Sequence, residues 1–383
     1  MQIESQIQDV HFGEGAIAKV SAILNQLGVR KVFLVADEPA YDVSGAANEL
    51  ETLFADYGID RFSGFKPNPK LEDIQRGIQQ FCGSNPDVLI AVGGGTAIDL
   101  AKLIGTLANH QADPRKMITG LYNIEKNGPP LIAIPTSAGT GSEATHFAVA
   151  YVDSQKYSVA DSRLLPSHVV IDPRLTHSLP AGITAASGLD AFCQSVESIW
   201  AVGATDESIR YASESVHLAL ANLLHCVQHP TPEARMAMCR AAYLSGKAIN
   251  ISKTTAPHAI SYAITTRFGL PHGLAVALTL GEILKFNASV RSTDCTDPRG
   301  AGHVQARIAF LLELLDQPTA ERAAGRIQSL MESVGAPLQL RDAGILVEDE
   351  FTWIAEQVNV ERLSNNPRKL AHRDIEKILQ KIS

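Results

Sequence analysis

The chain has 383 residues, of which 45% are hydrophobic and 19% charged, with a formal net charge of −8 at pH 7. That length allows two domains with ample core, and the acidic balance excludes the basic footprint of a nucleic-acid-binding protein. No apolar run is long enough to span a bilayer, and Met1-Gln2-Ile3-Glu4-Ser5 lacks the basic-then-apolar pattern of a secretory signal. The five cysteines (Cys82, Cys193, Cys226, Cys239 and Cys295) form no CxxC pair, so reduced thiols and a cytoplasmic location are expected.

The first half alternates strand-like and helix-like segments. Lys31–Ala36 is an apolar run ending at Asp37, and Val88–Val92 ends at three glycines. Leu131–Ile134 precedes Pro135-Thr136, and Val169–Ile171 precedes Asp172-Pro173. Runs that are apolar throughout suit strands buried on both faces of a parallel sheet. Helical patterns over Ser44–Tyr57 and Leu71–Gly83 separate them, which predicts a right-handed, doubly wound α/β domain. Phe147–Ala160, centred on Asp153-Ser154, reads as a hairpin.

After Leu179-Pro180 the pattern becomes helical: Ala186–Ala201, Asp206–Gln228, Pro232–Ile249, His303–Leu315, Thr319–Val334, Val347–Val358 and a last helix over Asp374–Ile382. The expected fold is an α/β, Rossmann-like domain over 1–180, followed by an all-α domain over 181–383.

Glycines that end a buried strand and open a helix let backbone N–H groups approach an anion. Gly93 to Asp99 fits that geometry, with Gly94, Gly95, Thr96 and Asp99 as candidate coenzyme contacts, although the GxGxxG spacing is absent. A ligand-free strand-to-helix turn would read the same way. A second small-residue loop, Pro135 to Glu143, follows another strand and would complete one crevice. Asp37 is placed either to accept a ribose 2′-hydroxyl, favouring NAD over NADP, or merely to close a strand-end turn.

Asp190 and Gln194 are four apart on a predicted helix and can face one point. His258 and His272 each follow a proline, with a break at Phe268-Gly269-Leu270-Pro271, so they belong to consecutive helices. A carboxylate and imidazoles suit Fe²⁺ or Zn²⁺. Cys193 lies in the same segment and reads as packing.

Taken together, these segments resemble the iron-containing (group III) alcohol dehydrogenase family. The resemblance covers nearly the whole chain: Pro67-Asn68-Pro69, the triple glycine, Pro135 to Glu143, Lys156, Asp172-Pro173, Gly188 to Ala191, Pro257-His258-Ala259, Gly269 to Gly273 and Asn366-Pro367-Arg368. It implies a dehydroquinate synthase-like architecture with a metal in the cleft between the domains. By position, Asp37 would recognise the adenosine ribose, and Gly94, Gly95 and Thr96 the pyrophosphate. Thr136, Ser137 and Thr140 would line the adenine and phosphate side, and Lys156 would reach the nicotinamide ribose. Asp190, His258 and His272 would hold the metal.

The family commonly has histidine where this chain has Gln194 and Tyr262. Gln194 therefore binds through its carbonyl, yields to water, or weakens metal affinity. Tyr262 is a candidate proton relay or a packing residue. The Gln194 variant is similar to a branch that includes phosphonoacetaldehyde reductases and 3-deoxy-octulosonate 8-oxidases. That implies hydride transfer between NAD and the terminal alcohol or aldehyde of a small anionic substrate, with Lys253 and Arg267 as candidate partners for its charge or as solvated helix-end cations. Broad-specificity short-chain alcohol dehydrogenation, a dehydroquinate synthase-like lyase reaction and metal-free maleylacetate reductase-like chemistry are the alternatives. Chains of this kind commonly form homodimers, although no residue here marks the interface.

Overall fold

The computed structural model describes residues 8–153, 155–346, 348–358 and 360–383, with all their side chains except those of residues 348 and 360–362. The chain divides between Leu179 and Pro180 into two compact units.

In the first unit, six parallel strands run in the order β1-β8-β5-β4-β2-β3. They are β1 (Asp9–Phe12), β2 (Lys31–Ala36), β3 (Gly58–Phe62), β4 (Val88–Gly93), β5 (Leu131–Pro135) and β8 (His168–Ile171), while β6 (Phe147–Val152) and β7 (Gln155–Ala160) form an antiparallel hairpin. Ser154, at the centre expected for the hairpin, lies outside the described residues. The inner strands are the continuous apolar runs. Along β2, Phe33 and Val35 pack into one core and Val32, Leu34 and Ala36 into another. Burying both faces removes the alternation that marks a half-exposed strand. The edge strands β1 and β3 escape that reading because DVHF and GIDRF are largely exposed or half-buried.

Helices cover both faces. They are α1 (Lys19–Gln26), α2 (Glu38–Val43), α3 (Ala46–Leu53), α4 (Leu71–Ser84), α5 (Gly95–Leu107) and α6 (Pro114–Ile118). Helix α3 is shorter than the Ser44–Tyr57 expectation. Gly45, at φ 84°, separates it from α2 with a left-handed residue that no helix can run through.

The second unit is helical: α7 (Ala181–Trp200), α8 (Asp206–Gln228), α9 (Pro232–Ser252), α10 (Ala256–Phe268), α11 (His272–Ala288), α12 (Ala301–Leu314), α13 (Ala320–Ser333), α14 (Glu348–Gln357) and α15 (His372–Lys381). Val347, the start expected for α14, lies outside the described residues. Helix α7 is the hub and is buried along most of its length. Among the described residues, no helix is long and apolar enough to cross a membrane.

Candidate functional site

In the first unit the C-terminal ends of β2, β4 and β5 bring the coenzyme candidates together. Gly93 has φ 149°, and a Cβ there would lie 2.9 Å from the Asp37 Cβ. A Cβ on Gly95 would lie 2.9 Å from Thr140 Oγ1, and one on Gly94 would lie 3.4 Å from Ser137 Oγ. The two small-residue loops thus lie against each other beside Asp37, and the glycines are what permit the approach. Thr136 N–H donates to the Gly93 carbonyl at 3.0 Å, and Thr96 Oγ1 accepts from the Asn68 N–H at 3.3 Å. Gly95 opens α5, so its first N–H groups and the helix dipole face the crevice end of the sheet. Burial raises the Asp37 pKa, partly offset by a backbone hydrogen bond from Ala40.

Asp99 departs from the expectation of a coenzyme contact. Its carboxylate turns inward, accepting from the Ser142 hydroxyl at 2.5 Å and the Val149 N–H at 2.9 Å. Beside it, fully buried Lys102 donates to the carbonyls of Ser142 at 2.7 Å, Thr145 at 2.8 Å and Phe147 at 2.7 Å. A carboxylate and an ammonium from α5 therefore hold the second loop in place. Burial pulls Lys102 down from 10.5 to about 8, with Asp99 and Glu143 limiting the fall. Burial lifts the Glu143 carboxyl from 4.5 to about 7 against its own backbone N–H and Lys102. Lys156 lies on β7 opposite Tyr151, close enough for its charge to be felt by Asp99.

In the second unit, three helices supply one donor each. Ligand atoms of Asp190 (α7), His258 (α10) and His272 (α11) all lie within 4.8 Å of one another, with Asp190 and His258 buried. Local sequence makes this possible. Pro257 sits in the first turn of α10, where its missing N–H costs nothing. Gly269 ends α10 in the left-handed conformation, and Pro271 precedes α11, so the chain reverses between the imidazoles. Gly273 packs against α7 with no room for a side chain: a Cβ would lie 1.9 Å from the Ala186 carbonyl oxygen and 2.9 Å from the Asp190 Cβ.

Donor chemistry and spacing fit a divalent cation. Two ligands about 2.1 Å from a tetrahedral centre lie about 3.4 Å apart. Asp190 Oδ1 and His258 Nε2 are 3.3 Å apart. The His258 and His272 rings meet edge-on, with centroids 5.4 Å apart. Burial disfavours the His258 imidazolium, but the Glu197 and Asp190 carboxylates outweigh it and lift its pKa from 6.5 to about 9. This buried, carboxylate-rich pocket attracts positive charge, which a divalent ion meets more fully than a proton.

Gln194 is buried one turn beyond Asp190, and its Oε1 lies 3.0 Å from the Ser245 hydroxyl. Tyr262, one turn after His258, stacks on His272 with centroids 5.6 Å apart and planes 13° apart. Arg267 is not brought to the cluster. Nine residues after His258, it projects roughly 180° around α10, and its guanidinium lies 4.4 Å over the Trp353 ring. Lys253 is exposed in strained backbone (φ 60°, ψ 171°), bracketed by Asn365 Nδ2 donating to the carbonyls of Ser252 and Thr254 at 2.9 Å each.

Sequence reasoning missed Glu197 and Ser261, which hold the imidazoles. Glu197 accepts from His258 Nδ1, and Ser261 Oγ lies 3.3 Å from His272 Nδ1 while donating to the His258 carbonyl at 2.8 Å. The available signal was spacing: Asp190, Gln194 and Glu197 follow the i, i+4, i+7 stripe of one helix face.

Residues 8–173 match the family model "Iron-containing alcohol dehydrogenase", and residues 184–383 match "Fe-containing alcohol dehydrogenase family, C-terminal". The chain belongs to the iron-containing alcohol dehydrogenase family and is an oxidoreductase acting on CH–OH groups. It is 38% identical over 306 residues to a phosphonoacetaldehyde reductase of Streptomyces viridochromogenes, a match covering 76% of this chain and 75% of that one. It is 30% identical over 376 residues to a 1,3-propanediol dehydrogenase of Klebsiella pneumoniae, covering 96% and 95%. A sulfoacetaldehyde reductase from Bifidobacterium kashiwanohense, solved in complex with NAD+, superposes with a TM-score of 0.87 at 25% identity, covering 100% of this chain and 98% of that one.

Proposed function

We propose that this protein is an NADH- and divalent-metal-dependent reductase of a small anionic aldehyde of the phosphonoacetaldehyde type, and oxidises the corresponding alcohol in reverse. The observation that carries the reading is the convergence of ligand atoms from Asp190, His258 and His272 within 4.8 Å beside Tyr262. The relatives named for phosphonoacetaldehyde and sulfoacetaldehyde support the substrate class, since both are two-carbon aldehydes carrying a fixed anion. The neighbour solved with NAD+ supports the coenzyme.

Asp190, His258 and His272 would hold the ion, with the Gln194 amide one turn from Asp190 as a neutral fourth donor. A bound divalent cation supplies Lewis acidity toward the substrate oxygen. Gly94, Gly95 and Thr96 cradle the pyrophosphate at the start of α5, with Thr136, Ser137 and Thr140 across from them. Asp37 accepts the ribose hydroxyls and repels a 2′-phosphate, and Lys156 serves the nicotinamide ribose. Reduction adds one hydride to the carbonyl carbon and one proton to its oxygen, and Tyr262 is placed to pass that proton. Lys253 is the cation proposed to meet the substrate anion. The working form is a homodimer.

The test is NADH oxidation, followed at the nicotinamide band, against phosphonoacetaldehyde, sulfoacetaldehyde, a sugar-acid aldehyde and propanal, with Fe²⁺ and Zn²⁺ in parallel. The expected result is the highest kcat/KM with one of the first two. A higher value with the sugar-acid aldehyde moves the substrate to the octulosonate class, and a higher value with propanal removes the anion from the proposal. Turnover of a phosphorylated sugar acid without net NADH loss would replace reduction with a lyase reaction.

A further inference from the structure

We infer that Glu197 is the positioning residue of the metal site, fixing His258 in the one tautomer and ring orientation that can ligate an ion. This rests on the metal reading above and adds a group to it that never touches the ion.

Glu197 follows Asp190 by two turns of α7 and is fully buried. Its Oε1 accepts from His258 Nδ1, and its Oε2 accepts from the Thr255 N–H at 2.6 Å and the Thr255 hydroxyl at 2.8 Å. The Thr255 oxygen in turn accepts from Trp200 Nε1–H at 2.9 Å. Trp200 and Thr255 are each 1% exposed, so water does not compete for any of these bonds.

A carboxylate only accepts hydrogen bonds, so the Nδ1 facing Glu197 carries a proton, which leaves Nε2, 3.3 Å from Asp190, as the ring atom that an ion would take in place of any proton held there. The same carboxylate ties α7 to Thr255, the residue that caps α10. It therefore sets both the ring's proton and the helix that carries the ring. Carboxylates behind ligating histidines commonly have this effect, and their loss costs about 10–100-fold in metal affinity.

Glutamine cannot replace Glu197. If its NH2 faces Thr255, it meets an N–H donor. If it faces His258, the ring must accept at Nδ1, which moves the proton to Nε2 and blocks the ligand atom. In metal-stripped protein, Glu197→Gln is expected to lower Co²⁺ and Zn²⁺ affinity by about 10–100-fold and to alter the visible d–d bands of the Co²⁺ form, while NADH binding is retained. A purely structural role would leave those bands unchanged once the site is saturated. Unchanged affinity and spectrum in E197Q overturn the inference. Should E197Q also lose NADH binding, Glu197→Asp decides: its shorter carboxylate withdraws from Nδ1, and unchanged Co²⁺ affinity there overturns the inference equally. Failure of the unsubstituted protein to bind either ion would instead sink the metal reading itself.

Discussion

Gly273 and Ala186 meet at a distance that no other residue type tolerates: a Cβ at position 273 would lie 1.9 Å from the Ala186 carbonyl oxygen. Because that contact is backbone, Gly273→Ala must push the first turn of α11 away from α7, taking His272 with it. The expected cost is about 1–3 kcal/mol of stability, with a weaker site for Co²⁺. Thermal melts of metal-free and metal-loaded protein measure both, and a variant matching the parent in each would show that the helices separate freely.

Removing a ligand should separate chemistry from coenzyme binding. His272→Ala deletes one of three donors in the helical unit and leaves the sequence of the glycine loops unchanged. Turnover should fall roughly a thousandfold, since losing Lewis acidity removes several kcal/mol. NADH affinity measured by calorimetry should stay within a factor of two or so of the parent. Equal losses of both would point to misfolding.

On the proposed reading Asp37 sets coenzyme choice; its Cβ lies 2.9 Å from where a Gly93 Cβ would be. Asp37→Ser removes the charge that opposes a 2′-phosphate. The NADPH-to-NADH ratio of kcat/KM should rise about tenfold or more, as expected for one charged hydrogen-bond partner. A ratio unchanged from the parent would move ribose recognition elsewhere.

Substrate charge provides a different comparison. Lys253→Ala should raise KM for the anionic aldehyde roughly tenfold, the value of one charge-assisted hydrogen bond, and leave KM for propanal as it was. Equal rises would trace the effect to the strained backbone at φ 60°.

Stability should depend on pH through Glu143, whose carboxyl is lifted from 4.5 to about 7 by burial. Between those values the folded protein keeps a proton that the unfolded chain has released, so stability falls as pH rises through the window, and the penalty is complete above about 7. Glu143→Gln carries no such proton. Its stability relative to the parent, read from melts, should rise from pH 4 to pH 8 by up to about 3 kcal/mol. A constant difference would leave Glu143 without this role.

The inner strands were legible because burial on both faces leaves an unbroken apolar run, as in KVFLVA and VLIAVG. The edges were not: GIDRF mixes charges with apolar residues because only part of it is covered. Flanking sequence picked out Asp190, His258 and His272, and the structure brings the three together. Their supports could not be read the same way. A glutamate such as Glu197 in an apolar helix looks like any buried acid until its partner is known, and that partner lies on another helix. Asp99 misled for the opposite reason: its position after the glycines suggested a ligand, whereas its carboxylate serves Ser142 and Val149. Helical phase alone would have set Arg267 aside.

The turn at Gly269 to Pro271 leaves α10 and α11 joined by three residues, with α7 meeting α11 at the close approach of Gly273 and α10 through the Glu197 side chain. An ion gripped by all three would act as a cross-link within the helical half of the chain. Enzyme that loses its ion should then age by loosening at that joint, with protease cuts near residue 270 appearing before any damage to the coenzyme-binding half.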